Sequence, residues 1–592
     1  MKNYINKILL ITALCAAFFG CKKYEQFPVD KNTAAFVFNP LDSAGTTATR
    51  YLDGIYSVVK SGYNRVGGDF LDAASDDAVS SQLGNPAVKL ISTNAINSFS
   101  LPSSEDVWQG VTTNNGNTPI AVNGNADSYW AGIRIANEFI ALIGNVPIKG
   151  FVNNIGRRYI YRAEARFLRA YFYFELVKRY GGVPLLGNKV YNINDNLNIP
   201  RNSFADCITY ITSECDAIKD SLMTYPLVNP ASDNYRATKG AALALKARAL
   251  LYAASPLFNG SNVDPSNPLT GYPSFDINRW TLAANAARDV INLNTYKLDP
   301  SFPDIFLTQN NSERIFIRPN SINNSIETNN GPMGIQPAPA SGNTSPTQEL
   351  VNSFPMINGK AITDPTSGYT ASDPYSILNL IKRDPRFIST IIYNGATWLN
   401  INIQTYEGGQ SKPNINSQQT LTSYYIDKFM GIDQKITPPY PTHSADWVIF
   451  RYAEILLTLA EAENEAASSP PADCYTQIYA LRGRAGITAG TDGTYGVPQG
   501  MTTVQMRAFI QNEWRIEFAF EEHRFFDIKR WRLAETVMNQ PRTGLSISKI
   551  GSTLVYNPIN VLTTVFTTKQ YLYPIPLNEV LKNPNMKQNP GW

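Results

Sequence analysis

The sequence predicts a mostly α-helical protein whose consecutive helices pack in pairs and are interrupted by long loops. Three features predict it. Apolar residues recur at helical spacing in one segment after another, most clearly over residues 129–143 and 157–180. Alanines gather where helices would meet, at Ala241, Ala242, Ala244, Ala247 and Ala249 in one segment and at Ala460, Ala462 and Ala466 in another. Between residues 300 and 441 the periodicity gives way to Asn, Ser, Pro and Gly with short strand-like pieces such as 314–317.

Taken in order, residues 1–7 carry Lys2 and Lys7 and no acid, and residues 8–19 are almost wholly apolar. That run is too short to cross a hydrocarbon core of ~30 Å, which needs roughly 20 apolar residues. A basic start, a short apolar run and a small residue before a cut site describe a secretory signal. Cleavage after Gly20 would leave Cys21 as the first residue, free to carry lipid, so residues 1–20 are expected to be a lipoprotein signal peptide and 21–40 a tether. Bulky Leu14 before Cys15 makes that cysteine a poor rival. Stable attachment needs more than one acyl chain, each contributing ~0.8 kcal/mol per buried CH₂.

Helices are expected over residues 46–60, 129–143, 157–180, 203–222, 238–254 and 280–293, with a loop-like stretch at 70–120. Ser203 offers an N-cap hydroxyl, Gly181-Gly182 and Pro184 stop one helix, and Pro256 stops another. Helix returns at 447–467, 475–484, 503–520 and 523–538, and the end of the chain is turn-rich. Small residues at helix contacts suit tight antiparallel pairs of the tetratricopeptide type, although no strict period of about 34 residues survives.

Composition excludes several classes. The 592 residues carry a net charge of +3 with 17% charged residues and no Lys/Arg cluster, which argues against a nucleic-acid partner. Beyond Cys15 and Cys21 there are only Cys207, Cys215 and Cys474. The first two of these would lie ~12 Å apart along one helix, too far for a disulfide. Three free buried thiols are expected, a bridge to Cys474 being the alternative. Arg162, Arg166 and Arg169 share one face of the 157–180 helix, and Glu164, Glu175, Glu454, Glu461, Glu463, Glu513 and Glu517 lie on neighbouring helical patterns. Core-type helices favour a structural ion-pair network over an acid/base dyad. His443 and His523 are the only histidines, and no nucleophile elbow, HExxH zinc motif or phosphate loop occurs. Asp69, Asp72, Asp76 and Asp77 lack the alternation and sixth-position glycine of a calcium loop. They are expected to cap and fix a loop, with no metal and no cofactor.

Several segments together resemble the SusD/RagB family. They are RAEARFLRAYFYFELVKRYGGVPLL, ATKGAALALKARALLYAASPLF, RDPRF, VIFRYAEILLTLAEAENEA, LRGRAGI, EWRIEFAFEEHRFFDIKRW and the closing YLYPIPLNEVLKNPNMKQNPGW, in the family's order. Two positions depart from its pattern: Trp514 where arginine is usual, and Glu522 where glycine is usual before His523-Arg524. Both are scaffold positions, so they bear on packing rather than function. The resemblance implies a right-handed, tetratricopeptide-like superstructure over residues 41–300 and a C-terminal part over 301–592, loop-rich and then helical, packed with it as one unit. It also implies a non-catalytic, lipid-anchored outer-membrane protein that captures an oligosaccharide, or in some members a peptide, for a SusC-like TonB-dependent transporter. Exposure on the outer face is implied by the family alone, since no acidic run follows Cys21. A scaffold that binds only a protein partner is the reading from another class.

Sugar rings stack their C–H faces on flat aromatics while polar side chains take the hydroxyls. Ligand residues are therefore expected in loops. The first choice is Trp108 with Asp106, Asn114 and Asn115; the second is Trp398 with Tyr406; the third is Tyr63 with Arg65. Trp130 and Trp280 lie on helical faces and are assigned to the core.

Overall fold

A computed structural model describes residues 33–592 except 83, 93–94, 103, 111–127, 193, 228–232, 310, 337–339, 415–418, 432–441 and 444. Cys21, Asn114 and Asn115 lie outside the described residues, as does the expected signal peptide.

Ten helices carry the frame. Helices α1 (Thr46–Ser57), α2 (Tyr129–Leu142), α3 (Arg157–Tyr180), α4 (Phe204–Ile218), α5 (Lys239–Ala254) and α6 (Asn278–Ile291) come first. After a long irregular stretch follow α7 (Tyr452–Ala466), α8 (Ala472–Arg484), α9 (Thr503–Glu517) and α10 (Arg524–Arg530). Their starts are written locally. The Ser203 and Thr502 side chains close capping boxes with Asp206 and Gln505, and the Ser128 and Thr238 hydroxyls accept from the amides of Ala131 and Ala241. Helix α3 stops at Gly181, whose φ of 74° favours glycine and where a Cβ would lie 2.2 Å from the Leu269 carbonyl oxygen.

Each helix from α1 to α6 packs on the next in chain order. Helix α6 then packs on α7 across residues 292–451, and α7 on α8 and α9, so the helical array resumes after the irregular stretch. The clustered alanines of α5 and Ala460 and Ala462 of α7 are all buried, which permits this close approach. The irregular stretch shares the same core. Phe316 meets Phe167 of α3 edge-on at 5.0 Å, and Phe429 stacks on Phe70 at 5.5 Å.

Strands are few. β1 (Arg314–Arg318) pairs antiparallel with β2 (Trp447–Arg451), and β3 (Arg542–Ile550) forms a hairpin with β4 (Thr553–Leu562). Two expectations are corrected here. The helix expected from residue 447 begins at 452, because WVIFR is a buried run of β-branched and aromatic residues with RIFIR to pair with. The helix expected over 523–538 breaks after α10 at Arg532, whose φ is 60°. The β3–β4 hairpin lies between the last expected helix and the turn-rich end, where no element is expected, although residues 542–562 alternate in the strand manner about Gly551. Cys207, Cys215 and Cys474 are free and buried, and burial pushes the thiols of Cys207 and Cys474 up to about 12. Among the described residues no helix is long and apolar enough to cross a membrane.

Candidate ligand-binding groove

An open groove of about 490 Å³ runs along the end of α1 and the loop that follows it. Pro86 gives it a part-exposed apolar side, and Val58 and Val59 lie buried beneath its floor. Ser57, Ser61 and Ser104 bring hydroxyl-bearing side chains, and Lys60, Arg65 and Arg318 bring positive charge. The loop is held from behind. Tyr63 packs edge-on against Phe70, Phe429 and Trp447 and donates its hydroxyl to the Asp446 carbonyl at 3.2 Å. Gly62 lies so near the Trp447 indole that a Cβ would sit 2.3 Å from its ring, so no larger residue fits without movement.

Arg65 is set by two carboxylates from distant parts of the chain. Its Nε donates to Glu522 at 2.8 Å, its Nη1 donates to the Ser104 carbonyl at 2.8 Å, and it pairs with buried Glu105. Burial alone would raise the Glu105 carboxyl, but Arg179 and Arg65 outweigh it and hold Glu105 well below the usual carboxylate range. Glu522 has a φ of 61°, which accounts for the glycine usual there and shows what this chain does instead: it accepts the strain and reaches Arg65.

The other expected site residues are placed differently. Trp108 is only 5% exposed, its ring closed in by Trp130 and Tyr180, each 5.1 Å away. Asp106 is buried beside it, accepting from the amides of Trp108 and Gln109 at 3.1 and 2.9 Å. Burial raises its pKa, against the pull of those bonds. Trp398 is fully buried in a tight hairpin, Thr397–Trp398 against Ile401–Asn402. Both tryptophans, candidates either for ligand contact or for packing their loops, are anchors that pin those loops to the core. Tyr406 keeps part of its ring accessible, with the Lys549 ammonium 4.9 Å from its centre and its hydroxyl donated to Gln404 at 2.8 Å. It sits on a loop tied to β3 through the Glu407 amide and the Ile547 carbonyl, and it does not line the groove. The structure therefore brings Arg65 to the groove, sets Tyr63 behind the loop that carries it, and keeps Trp398 and Tyr406 apart from it.

The expected ion-pair network is present. Arg451 of β2 meets Glu313, Glu517 and Glu521, and Arg386 meets Asp384, Glu513 and Glu517. Glu454 pairs with Arg248, Glu461 with Arg530, Glu463 with Arg288, Glu164 with Arg236 and Glu175 with Arg179. The arginine face of α3 needs a correction. Arg166 and Arg169 both bind Glu214 of α4, an acid outside the expected set, at 2.7 and 2.8 Å, while Arg162 is exposed at a flank of the helix. Asp76 and Asp77 bind Arg524 and Arg515, tying the 69–77 loop to α9 and α10.

Comparison with known proteins follows the same outline. Residues 305–592 match the family model described as "SusD family", and residues 70–251 match the model described as "Starch-binding associating with outer membrane". The chain belongs to the SusD family. Among similar SusD-like structures is one from Bacteroides fragilis NCTC 9343, with 25% identity, a TM-score of 0.72, and coverage of 93% of this chain and 98% of that one. A SusD-like carbohydrate binding protein from the same strain aligns with 22% identity and a TM-score of 0.68 over 92% of this chain and 99% of its own. SusD-like protein P2 of Formosa agariphila is 31% identical over 25% of this chain; the match spans about a quarter, 26%, of that relative's length. The SusD fold thus accounts for the helical array.

Proposed function

We propose that this SusD-family protein is an outer-membrane lipoprotein, anchored through Cys21 and facing the exterior, that captures an oligosaccharide and passes it to a SusC-like TonB-dependent transporter without altering it. The observation that carries the reading is the pair of family matches, which take in both the early helices and the whole C-terminal part, one of them described as starch-binding and associated with the outer membrane. The groove beside α1 supports it in chemical terms. Its accessible hydroxyl and cationic side chains, Ser57, Ser61, Lys60 and Arg318, suit a sugar's oxygens, and Pro86 offers a small apolar surface for the C–H face of a ring. The charged groups that could serve as acid/base pairs are instead tied up in the buried network that holds the scaffold.

Calorimetry against a panel of neutral and acidic oligosaccharides and peptides tests the binding step. Micromolar-to-millimolar association with a saccharide, and no new product by mass spectrometry after prolonged incubation, is the expected result. Binding restricted to peptides would overturn the saccharide assignment, and product formation would overturn the non-catalytic one. Mass analysis of the mature N-terminus checks the anchor: an unacylated chain would refute it.

A further inference from the structure

The groove carries more specific information than a saccharide class. Its edge is cationic, and none of the residues lining it is acidic. Arg65 is already compensated by Glu105 and Glu522. Arg318, at the end of β1, is not. Its Nε donates to the Val59 carbonyl at 2.9 Å and one terminal nitrogen donates to the Pro319 carbonyl, while among the described residues no carboxylate forms an ion pair with it. Elsewhere in the scaffold the buried arginines Arg386, Arg451 and Arg530 each meet two or more acids, while Arg201, Arg383 and Arg542 are held by carbonyls as Arg318 is but lie closed in the interior, so Arg318 differs from them in facing the groove. A half-buried guanidinium held only by backbone carbonyls keeps a net positive charge and spare donors at the groove's wall, an arrangement costly to leave unmatched. Burial lowers the pKa of Arg318, with no charged neighbour acting against it.

We infer that the groove beside α1 takes an acidic saccharide, with a carboxylate or sulfate group of the ligand seated on Arg318 and its sugar ring lying along the Pro86 side of the groove. The inference rests on the saccharide-capture reading above and names the ligand class within it.

The test compares a galacturonic acid tetramer, a sulfated galactose tetramer, maltotetraose and a tetraglutamate peptide by calorimetry on the full mature chain at 50 and 500 mM NaCl. At least one acidic saccharide is expected to bind about tenfold or more tighter than maltotetraose at low salt, a preference that shrinks at high salt. Preference for the uronate assigns a carboxylate, and preference for the galactan assigns a sulfate. Arg318→Gln is expected to lower the acidic-to-neutral affinity ratio by about tenfold and Arg318→Lys to restore part of it, with thermal melting confirming that both variants fold. Equal affinity for acidic and neutral tetramers overturns this inference alone and leaves saccharide capture standing. So does an acidic preference that survives in folded Arg318→Gln. Tighter binding of tetraglutamate than of either acidic saccharide, or no saccharide binding at all, overturns both.

Discussion

Replacing Asp69 with asparagine should make the protein's stability less sensitive to pH between 4 and 8. Asp69 is fully buried just behind the groove loop, and its Oδ1 accepts from the Thr344 hydroxyl at 2.9 Å. No cation compensates it. Burial, only partly offset by hydrogen bonds from Ser80 and Thr344, pushes its pKa from 3.8 up to about 7. The sign follows from linkage. In the unfolded chain the carboxyl loses its proton near pH 4, whereas the folded chain holds it until about 7, so folding binds a proton over that window. The stability contributed by the neutral carboxyl is fully present below pH 4, declines as pH rises, and is gone above about 7. A gap of about three pH units corresponds to about 4 kcal/mol. Asparagine keeps an acceptor for Thr344 and cannot ionise, so it incurs only a pH-independent cost for its buried amide. Paired urea denaturations of the wild type and Asp69→Asn at pH 4, 5, 6, 7 and 8 should show the difference moving in favour of the variant by about 4 kcal/mol. A difference that stays flat over this range, or moves the other way, would refute the argument that Asp69 is buried without a compensating charge.

Three further outcomes follow from the same geometry. Arg451→Met should cost about 3–5 kcal/mol or prevent folding, because it removes the cation shared by buried Glu313, Glu517 and Glu521 and leaves them to Arg484, Arg386 and Lys428 alone, and thermal melting reads this directly. At Glu522, glycine should be tolerated better than alanine by about 1–3 kcal/mol, since both lose the pair with Arg65 but only glycine relieves the left-handed backbone; equal melting temperatures would contradict this. Trp108→Ala should destabilise the fold by about 3–5 kcal/mol, as expected for a large buried ring, whereas Tyr406→Ala should leave the melting temperature far less changed. If both variants melt alike, the distinction between anchor and accessible ring fails.

The parts of the fold legible in the sequence were those determined locally. Apolar spacing, the Ser203 cap and the Gly181 stop locate most helices to within a few residues, because each signal lies inside the helix it defines. The alanine-rich segments pointed to paired packing for the same reason. What failed was determined by partners far along the chain. WVIFR reads equally well as the first turn of α7, and only the presence of RIFIR beside it makes it a strand. Trp108 sits in a polar loop that reads as ligand-facing, yet Trp130 and Tyr180, from two different helices, close over it. The acid that serves the arginine face of α3 is Glu214, one helix on, and nothing in the spacing of either segment announces the pair.

The groove is the extreme case of that dependence. Arg65 faces Glu105 and Glu522, one 40 and the other 457 positions away, and Arg318 enters from a strand beyond α6. Charge at such a site is a property of what remains unpaired after folding, so it cannot be read from the number or spacing of Lys and Arg. A net charge of +3 with no cationic cluster is compatible with a local excess of positive charge wherever one arginine finds only carbonyls. Family membership fixes the scaffold, because the conserved-looking helical segments build it. Ligand choice within such a family has to reside in the loops and strand ends laid over the scaffold, and at this groove, among the described residues, Arg318 is an arginine whose charge no carboxylate matches.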